Sequence, residues 1–196
     1  MIQHIPDNDP NRPEFSAMEK YCRGLGVDIG TGSNRLSPTV LGIDWYPHDD
    51  TDMIWNCAPE PKEGGGQNVY PYPFRENRFD FVFASHILED FLPSVIQWVF
   101  DEWLRLIKPG GYLVILVPDM FNKRYPDWDE VFTEEEEVKS GKRKAGETKG
   151  NPSHRITMGL PLLHKLKNES RYPTEIVQED TFTHERMTLD FVLKKL

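Results

Sequence analysis

Apolar residues fall in short runs divided by polar, glycine- and proline-bearing stretches, a spacing that predicts alternating strands and helices. Leu25 to Ile29 reads as a strand that breaks at Gly30-Thr31-Gly32-Ser33, and Thr39 to Ile43 as a second that ends at Asp44. Asp52 to Asn56 is a weaker third. Phe79 to Ser85 is nearly continuous in apolar residues, as expected of a strand covered on both faces. From Val95 to Ile107, the residues Val95, Val99, Trp103, Leu106 and Ile107 share one helical stripe, with Asp101, Glu102 and Arg105 outside it. That phase predicts that alanine at Glu102 changes little, whereas alanine at Trp103 opens the core. Lys108-Pro109-Gly110-Gly111 stops the helix, and Tyr112 to Pro118 is another buried strand. Strand, helix, turn and strand in this order make a β-α-β unit, hence a parallel sheet with right-handed crossovers.

The flanks are less regular. Residues 1–13 hold Pro6, Pro10 and Pro13 and read as an irregular arm, with Pro13 opening a helix over Glu14 to Arg23 that buries Phe15, Met18 and Cys22. Residues 58–73, rich in proline and glycine, read as a surface loop. Glu134 to Lys149 carries charges that cancel and reads as a mobile excursion within a lid-like insertion, 119–154. Met158 to Lys167 is predicted helical around Pro161. Glu175 to Gln178 and Leu189 to Leu193 are closing strands, too close in sequence for a helix between them, so they should pair antiparallel.

At 196 residues the chain fits a single domain, 1–196. With 38% hydrophobic and 28% charged residues it is neither a disordered tail nor a rod. No apolar run approaches the ~20 residues a bilayer requires, and Met1 to Asp7 carries no signal-peptide pattern. A cytoplasmic location without membrane partners is the expectation. Cys22 and Cys57 cannot build a disulfide framework or a four-cysteine zinc site, and no metal is expected. A net charge of −9 argues against a phosphate-tracking surface, making nucleic acid an unlikely partner. Nothing in the sequence fixes an oligomeric state.

The turn after the first strand has a definite physical use. Gly30 and Gly32 let the backbone bend sharply and leave main-chain N–H groups open to a ligand. Asp44 closes the next strand, where an acid accepts hydrogen bonds from ribose hydroxyls in nucleoside-binding sheets. The G-x-G-x-x-G dinucleotide fingerprint fails, because Arg35 stands where its third glycine belongs, and no Walker A loop is present.

Four motifs then occur in order: Val27-Asp28-Ile29-Gly30-Thr31-Gly32-Ser33, Gly42-Ile43-Asp44, Pro73-Phe74 through Phe79-Asp80-Phe81-Val82 to Ser85-His86-Ile87-Leu88-Glu89-Asp90, and Leu106-Ile107-Lys108-Pro109-Gly110-Gly111. With them the chain resembles the class I S-adenosylmethionine-dependent methyltransferases, specifically the small type 11 group, over about residues 22–119. The resemblance implies an α/β, Rossmann-like fold: a mostly parallel sheet with an antiparallel final strand and helices on both faces. It implies S-adenosyl-L-methionine as cofactor. Asp28, Gly30 and Gly32 would form the loop under its methionine part and ribose, and Asp44 would hold the ribose hydroxyls. Trp45 would lie beside the adenine, Asn56 or Cys57 at its amine, and Ser85 and His86 near the sulfonium. Asn34 replaces the family's third loop glycine, and only Asn34 to Pro38 precede the second strand, so the usual first helix is missing or one turn long.

The function implied is methyl transfer to an acceptor, more in keeping with a small molecule or sugar than with nucleic acid. No Asn-Pro-Pro-Tyr or Pro-Cys motif of base methylation is present. His86 is the candidate general base, against a plain role as pocket wall. The alternative from another class is a degenerate, cofactor-binding domain serving as a regulatory or assembly partner.

Overall fold

The computed structural model describes residues 17–56, 71–118, 156, 158–181 and 188–196. Among these, seven strands form one sheet: β1 (Gly26–Ile29), β2 (Leu41–Asp44), β3 (Met53–Ile54), β4 (Phe79–Ser85), β5 (Ile107–Pro118), β6 (Thr174–Thr181) and β7 (Thr188–Lys195). Their order is β3-β2-β1-β4-β5-β7-β6. The pairs among β1 to β5 are parallel, and β7 runs antiparallel to both β5 and β6. This is the mostly parallel α/β sheet that the motifs imply. Beyond the helical residues at Ala17–Met18, the described residues hold two helices, α1 (Ile96–Leu106) and α2 (Leu160–Glu169), and a 3-10 turn at Leu88–Asp90.

The central strands are apolar throughout because they bury two faces, and their side chains alternate between them. Phe79, Val82 and Ala84 of β4, with Leu113, Ile115 and Val117 of β5, join a core that also takes Val99 and Trp103 of α1 and Leu163 of α2. Phe81 and Phe83, with Val114 and Leu116, join a smaller core on the other face with Met18, Val40 and Val192. Tyr21, Cys22 and Leu36 pack against that second core. Burial pushes the Cys22 thiol up to about 12, so it stays protonated and inert.

The structure corrects four readings of the pattern. The N-terminal helix is helical at Ala17–Met18 and passes into a turn instead of running to Arg23. Ile107 starts β5 and does not end the helix. Tyr72, expected in a surface loop, is 2% exposed. Glu102, expected outside the buried stripe, is 3% exposed. The last two have one cause. Glu102 Oε1 accepts the Tyr72 N–H at 3.0 Å, and its two oxygens take Arg105 Nε and Nη2, each at 2.6 Å. Arg105 in turn donates to Phe74 O at 2.8 Å and Tyr72 O at 3.2 Å. A paired charge on α1 therefore holds residues 72–74 against the domain.

A second buried charge ties the end of β7 to the start of β5. Lys195 Nζ donates to Leu104 O (2.9 Å), Ile107 O (2.8 Å) and Asn77 Oδ1 (2.8 Å), and lies 4.6 Å from the Tyr172 ring centroid. Residues 1–16, with the irregular arm, lie outside the described residues, as do Cys57, loop positions 58–70 and the whole 119–154 insertion.

Candidate functional site

The strand order reverses at β1, which has β2 on one side and β4 on the other. In open parallel sheets ligands bind beyond the carboxyl ends of the strands at such a reversal. Here those ends carry Asp28, the Gly30–Gly32 loop, Asp44, Ser85 and His86.

The loop turns because both glycines take positive φ, +75° at Gly30 and +54° at Gly32. Gly30 N and Thr31 N donate to Ile43 O at 2.8 and 3.2 Å, drawing the turn over the end of β2. A Cβ on Gly30 would collide with Ile87, whereas one on Gly32 would meet nothing within 4 Å. Among the described residues the space over Gly32 is open.

Two carboxylates hold this loop. Asp44 Oδ2 accepts the Gly32 N–H at 2.8 Å and Oδ1 the Tyr46 N–H at 2.9 Å, with His48 Nε2 3.8 Å from Oδ1. Asp28 Oδ2 accepts the Leu36 N–H at 2.8 Å. Asp28 is buried, and loss of hydration pushes its carboxyl up to about 7. The Leu36 N–H, Thr31 and Arg35 pull it back down, and the nearby Asp44 adds to the rise.

No helix forms between β1 and β2. Arg35 takes over the work of ordering the connection. Its Nε donates to Asp50 O at 2.9 Å, Nη2 donates to the same oxygen, and Nη1 reaches Val40 O at 3.4 Å and Asp52 Oδ2 at 3.0 Å. Asp52 Oδ2 also accepts the Gly42 N–H at 2.9 Å. Arg35, which breaks the dinucleotide fingerprint, is thus the clasp of the loop.

Hydrogen bonds bring Asp44 and Gly32 together and tie Asp28 to Leu36 at the loop's far end, while Gly30 sits against Ile87 beyond β4. Trp45 and Asn56 are buried beside the ends of β2 and β3. The neighbouring Tyr46 is 49% exposed, its ring 6.2 Å from that of Trp45. Ser85 ends β4 and is half-buried, and His86 follows it at φ +54°. His86 Nδ1 lies 3.5 Å from Oε1 of Glu89. Sequence reasoning passed over Arg35 and Glu89 as members of the site. The signal for Glu89 was present in its spacing, an acid three residues after His86 among apolar neighbours.

The family model described as "Methyltransferase domain" matches residues 27–115. Solved structures share the fold at low identity. The SAM-dependent methyltransferase, possible histamine N-methyltransferase, from Thermotoga maritima is similar at 16% identity and TM-score 0.60, over 94% of this chain and 88% of that one. The PH0226 protein from Pyrococcus horikoshii OT3 is similar at 16% identity and TM-score 0.58, over 96% and 93%. The 1,6-didemethyltoxoflavin-N1-methyltransferase from Burkholderia thailandensis, with bound 1,6-didemethyltoxoflavin and S-adenosylhomocysteine, is similar at 13% identity and TM-score 0.58, over 94% and 77%. No curated protein matches the chain. Residues 27–115 match that methyltransferase-domain model, which is consistent with the class I, type 11 group that the motifs resemble. The domain match supports methyl transfer, and the solved structures share its fold. Among the described residues no helix is long and apolar enough to cross a membrane.

Proposed function

We propose that this protein transfers a methyl group from S-adenosyl-L-methionine to a small molecule or sugar, and not to nucleic acid. The observation that carries the reading is the open space over Gly32, flanked by Asp44 and walled by a loop whose glycines are held in positive φ. A cofactor can fill the space that Gly32 leaves open. The donor set fits as well. A carboxylate offers about four lone-pair positions, and Asp44 uses two on backbone N–H groups, leaving capacity for ribose hydroxyls.

In this reading Asp28, Gly30 and Gly32 hold the methionine and ribose parts, and Asp44 the ribose hydroxyls. Trp45 serves the adenine, Asn56 or Cys57 its amine, and Ser85 and His86 stand toward the sulfonium. When bound, the cofactor supplies an already activated methyl group, so the protein's task is alignment, exclusion of water and disposal of a proton. The net charge of −9 supports a small acceptor over a polyanion. Two of the structural neighbours are named for small nitrogen compounds, one as a possible histamine N-methyltransferase and the other as 1,6-didemethyltoxoflavin-N1-methyltransferase.

Calorimetry with S-adenosylmethionine, S-adenosylhomocysteine and NADH tests the cofactor, with binding of the first two and none of NADH expected. Failure to bind S-adenosylhomocysteine overturns the reading. The second reading, a degenerate domain acting as a regulatory or assembly partner, is favoured by one observation: no helix N-terminus follows the glycine loop. Cofactor binding without turnover across an acceptor screen would decide for it.

A further inference from the structure

His86 follows β4 at φ +54°, a left-handed conformation that residues with a Cβ seldom adopt. Its N–H donates to Leu116 O at 2.8 Å, fixing the turn to β5. Ile87 packs where a Cβ on Gly30 would lie, so this turn abuts the glycine loop. Glu89 lies in the 3-10 turn that follows. Its side chain is 0% exposed, while the His86 side chain 3.5 Å away is 48% exposed. Glu89 O also accepts the Ile156 N–H at 3.2 Å, so the chain after residue 155 is tied to the same turn.

A buried carboxylate facing one imidazole nitrogen selects the tautomer protonated there and leaves the other nitrogen unprotonated. Glu89 faces Nδ1, so the unprotonated nitrogen is Nε2. We propose that Glu89 is the positioning residue that makes His86 Nε2 a proton acceptor, and that the methyl acceptor is therefore a small molecule bearing an N–H or O–H nucleophile. This rests on the methyl-transfer reading above. In the step, His86 Nε2 takes the proton as the acceptor's N–H or O–H bond breaks. The acceptor atom attacks the methyl carbon with the freed pair as the carbon–sulfur bond breaks onto sulfur. His86 then releases the proton to solvent. Asp90 on the same turn, Asp28 on β1, and Asp44 with His48 beyond β2 are further ionisable groups at this end of the sheet. Asp90→Asn therefore serves as a control.

The test begins on the uncomplexed protein. Long-range proton–nitrogen spectra of the uniformly labelled chain, with His86 assigned by signal loss in His86→Asn, report its tautomer and titration midpoint. The expected result is a neutral His86 protonated on Nδ1. In Glu89→Gln its midpoint falls by about half a pH unit or more, because a negative neighbour is lost. Asp90→Asn leaves the tautomer unchanged. An Nε2-protonated ring in the parent, readable with no variant folded, overturns the proposal, as does an unmoved midpoint in Glu89→Gln.

A second arm follows tritium from methyl-labelled S-adenosylmethionine into two sets of probes. Phenols, hydroxylated heteroaromatics and indoles carry the proton; pyridines, tertiary amines and thioethers do not. Turnover confined to the first set, and lowered tenfold or more at neutral pH in His86→Asn, supports the proposal. Turnover of the second set, undiminished turnover in His86→Asn, or no turnover in either set counts against it. S-adenosylhomocysteine binding by the parent separates the two failures: its loss condemns the methyl-transfer reading, and its retention confines the failure to the His86–Glu89 pair.

Discussion

Replacing Glu102 by alanine removes both carboxylate oxygens from a site where three N–H bonds converge. Arg105 Nε and Nη2 lose partners at 2.6 Å, and the Tyr72 N–H loses one at 3.0 Å. The Arg105 side chain is 17% exposed and Glu102's is 4%, so water replaces little of what is lost. Breaking a buried ion pair by deleting one partner costs about 3–5 kcal/mol, and a buried N–H left unpaired costs about 1–3 kcal/mol within that figure. For a chain of this length the loss corresponds to a fall of roughly 6–20 °C in melting temperature. Urea unfolding of Glu102→Ala, Arg105→Ala and the double variant reads the pair directly. The two single losses should exceed their joint loss when added, because the second deletion no longer strands a charge. A Glu102→Ala protein melting within about 2 °C of the parent, or fully additive losses, would refute the assignment of Glu102 to the interior.

Three other outcomes follow from geometry. Asp44→Ala should weaken S-adenosylhomocysteine about ten- to a hundredfold by calorimetry, since it removes charge-assisted acceptors and frees the Gly32 N–H; affinity within twofold of the parent would place the site elsewhere. Lys195→Met should cost about 1–3 kcal/mol in urea unfolding, because it leaves the Leu104 and Ile107 carbonyls without their buried donor; an unchanged midpoint would argue against that cap. Asp28, raised from 3.8 to about 7, keeps a proton in the folded chain that the unfolded chain gives up. Its contribution to stability is therefore full below about pH 4 and lost as pH rises to about 7. Asp28→Asn should flatten that slope in a pH series of unfolding curves, and an identical slope in both proteins would remove burial as the cause.

The sheet was legible because its central strands must be apolar on both faces, and runs such as Phe79 to Ser85 have few other uses. The glycine loop and Asp44 were legible because backbone geometry and hydroxyl recognition restrict residue choice. The charged residues that hold the structure together were not. Glu102 and Arg105 fall outside the apolar stripe and Lys195 lies beyond the last predicted strand, and their burial depends on partners 30, 31 and 118 positions away at Tyr72, Phe74 and Asn77. Arg35 was noticed for the motif it spoils, yet its role depends on Asp50 and Asp52 reaching back across β2. The three-residue spacing of His86 and Glu89 was visible in the sequence, but the contact that uses it accompanies a left-handed residue in a position where no glycine announces one.

The position of β7 between β5 and β6 has a consequence for the order in which the chain acquires its shape. A ribosome delivers β6 before β7, yet β6 has no place on the sheet until β7 lies beside β5. The pairing residues Val114, Ile115 and Leu116 wait for Val192, Phe191 and Asp190, more than 70 positions later. The nascent chain therefore carries an open apolar edge through the synthesis of everything between those strands, and β6 and β7 add as one hairpin in a single late event. Arrested nascent chains halted before Thr188 should expose β5 to protease, and chains extended past Lys195 should protect it.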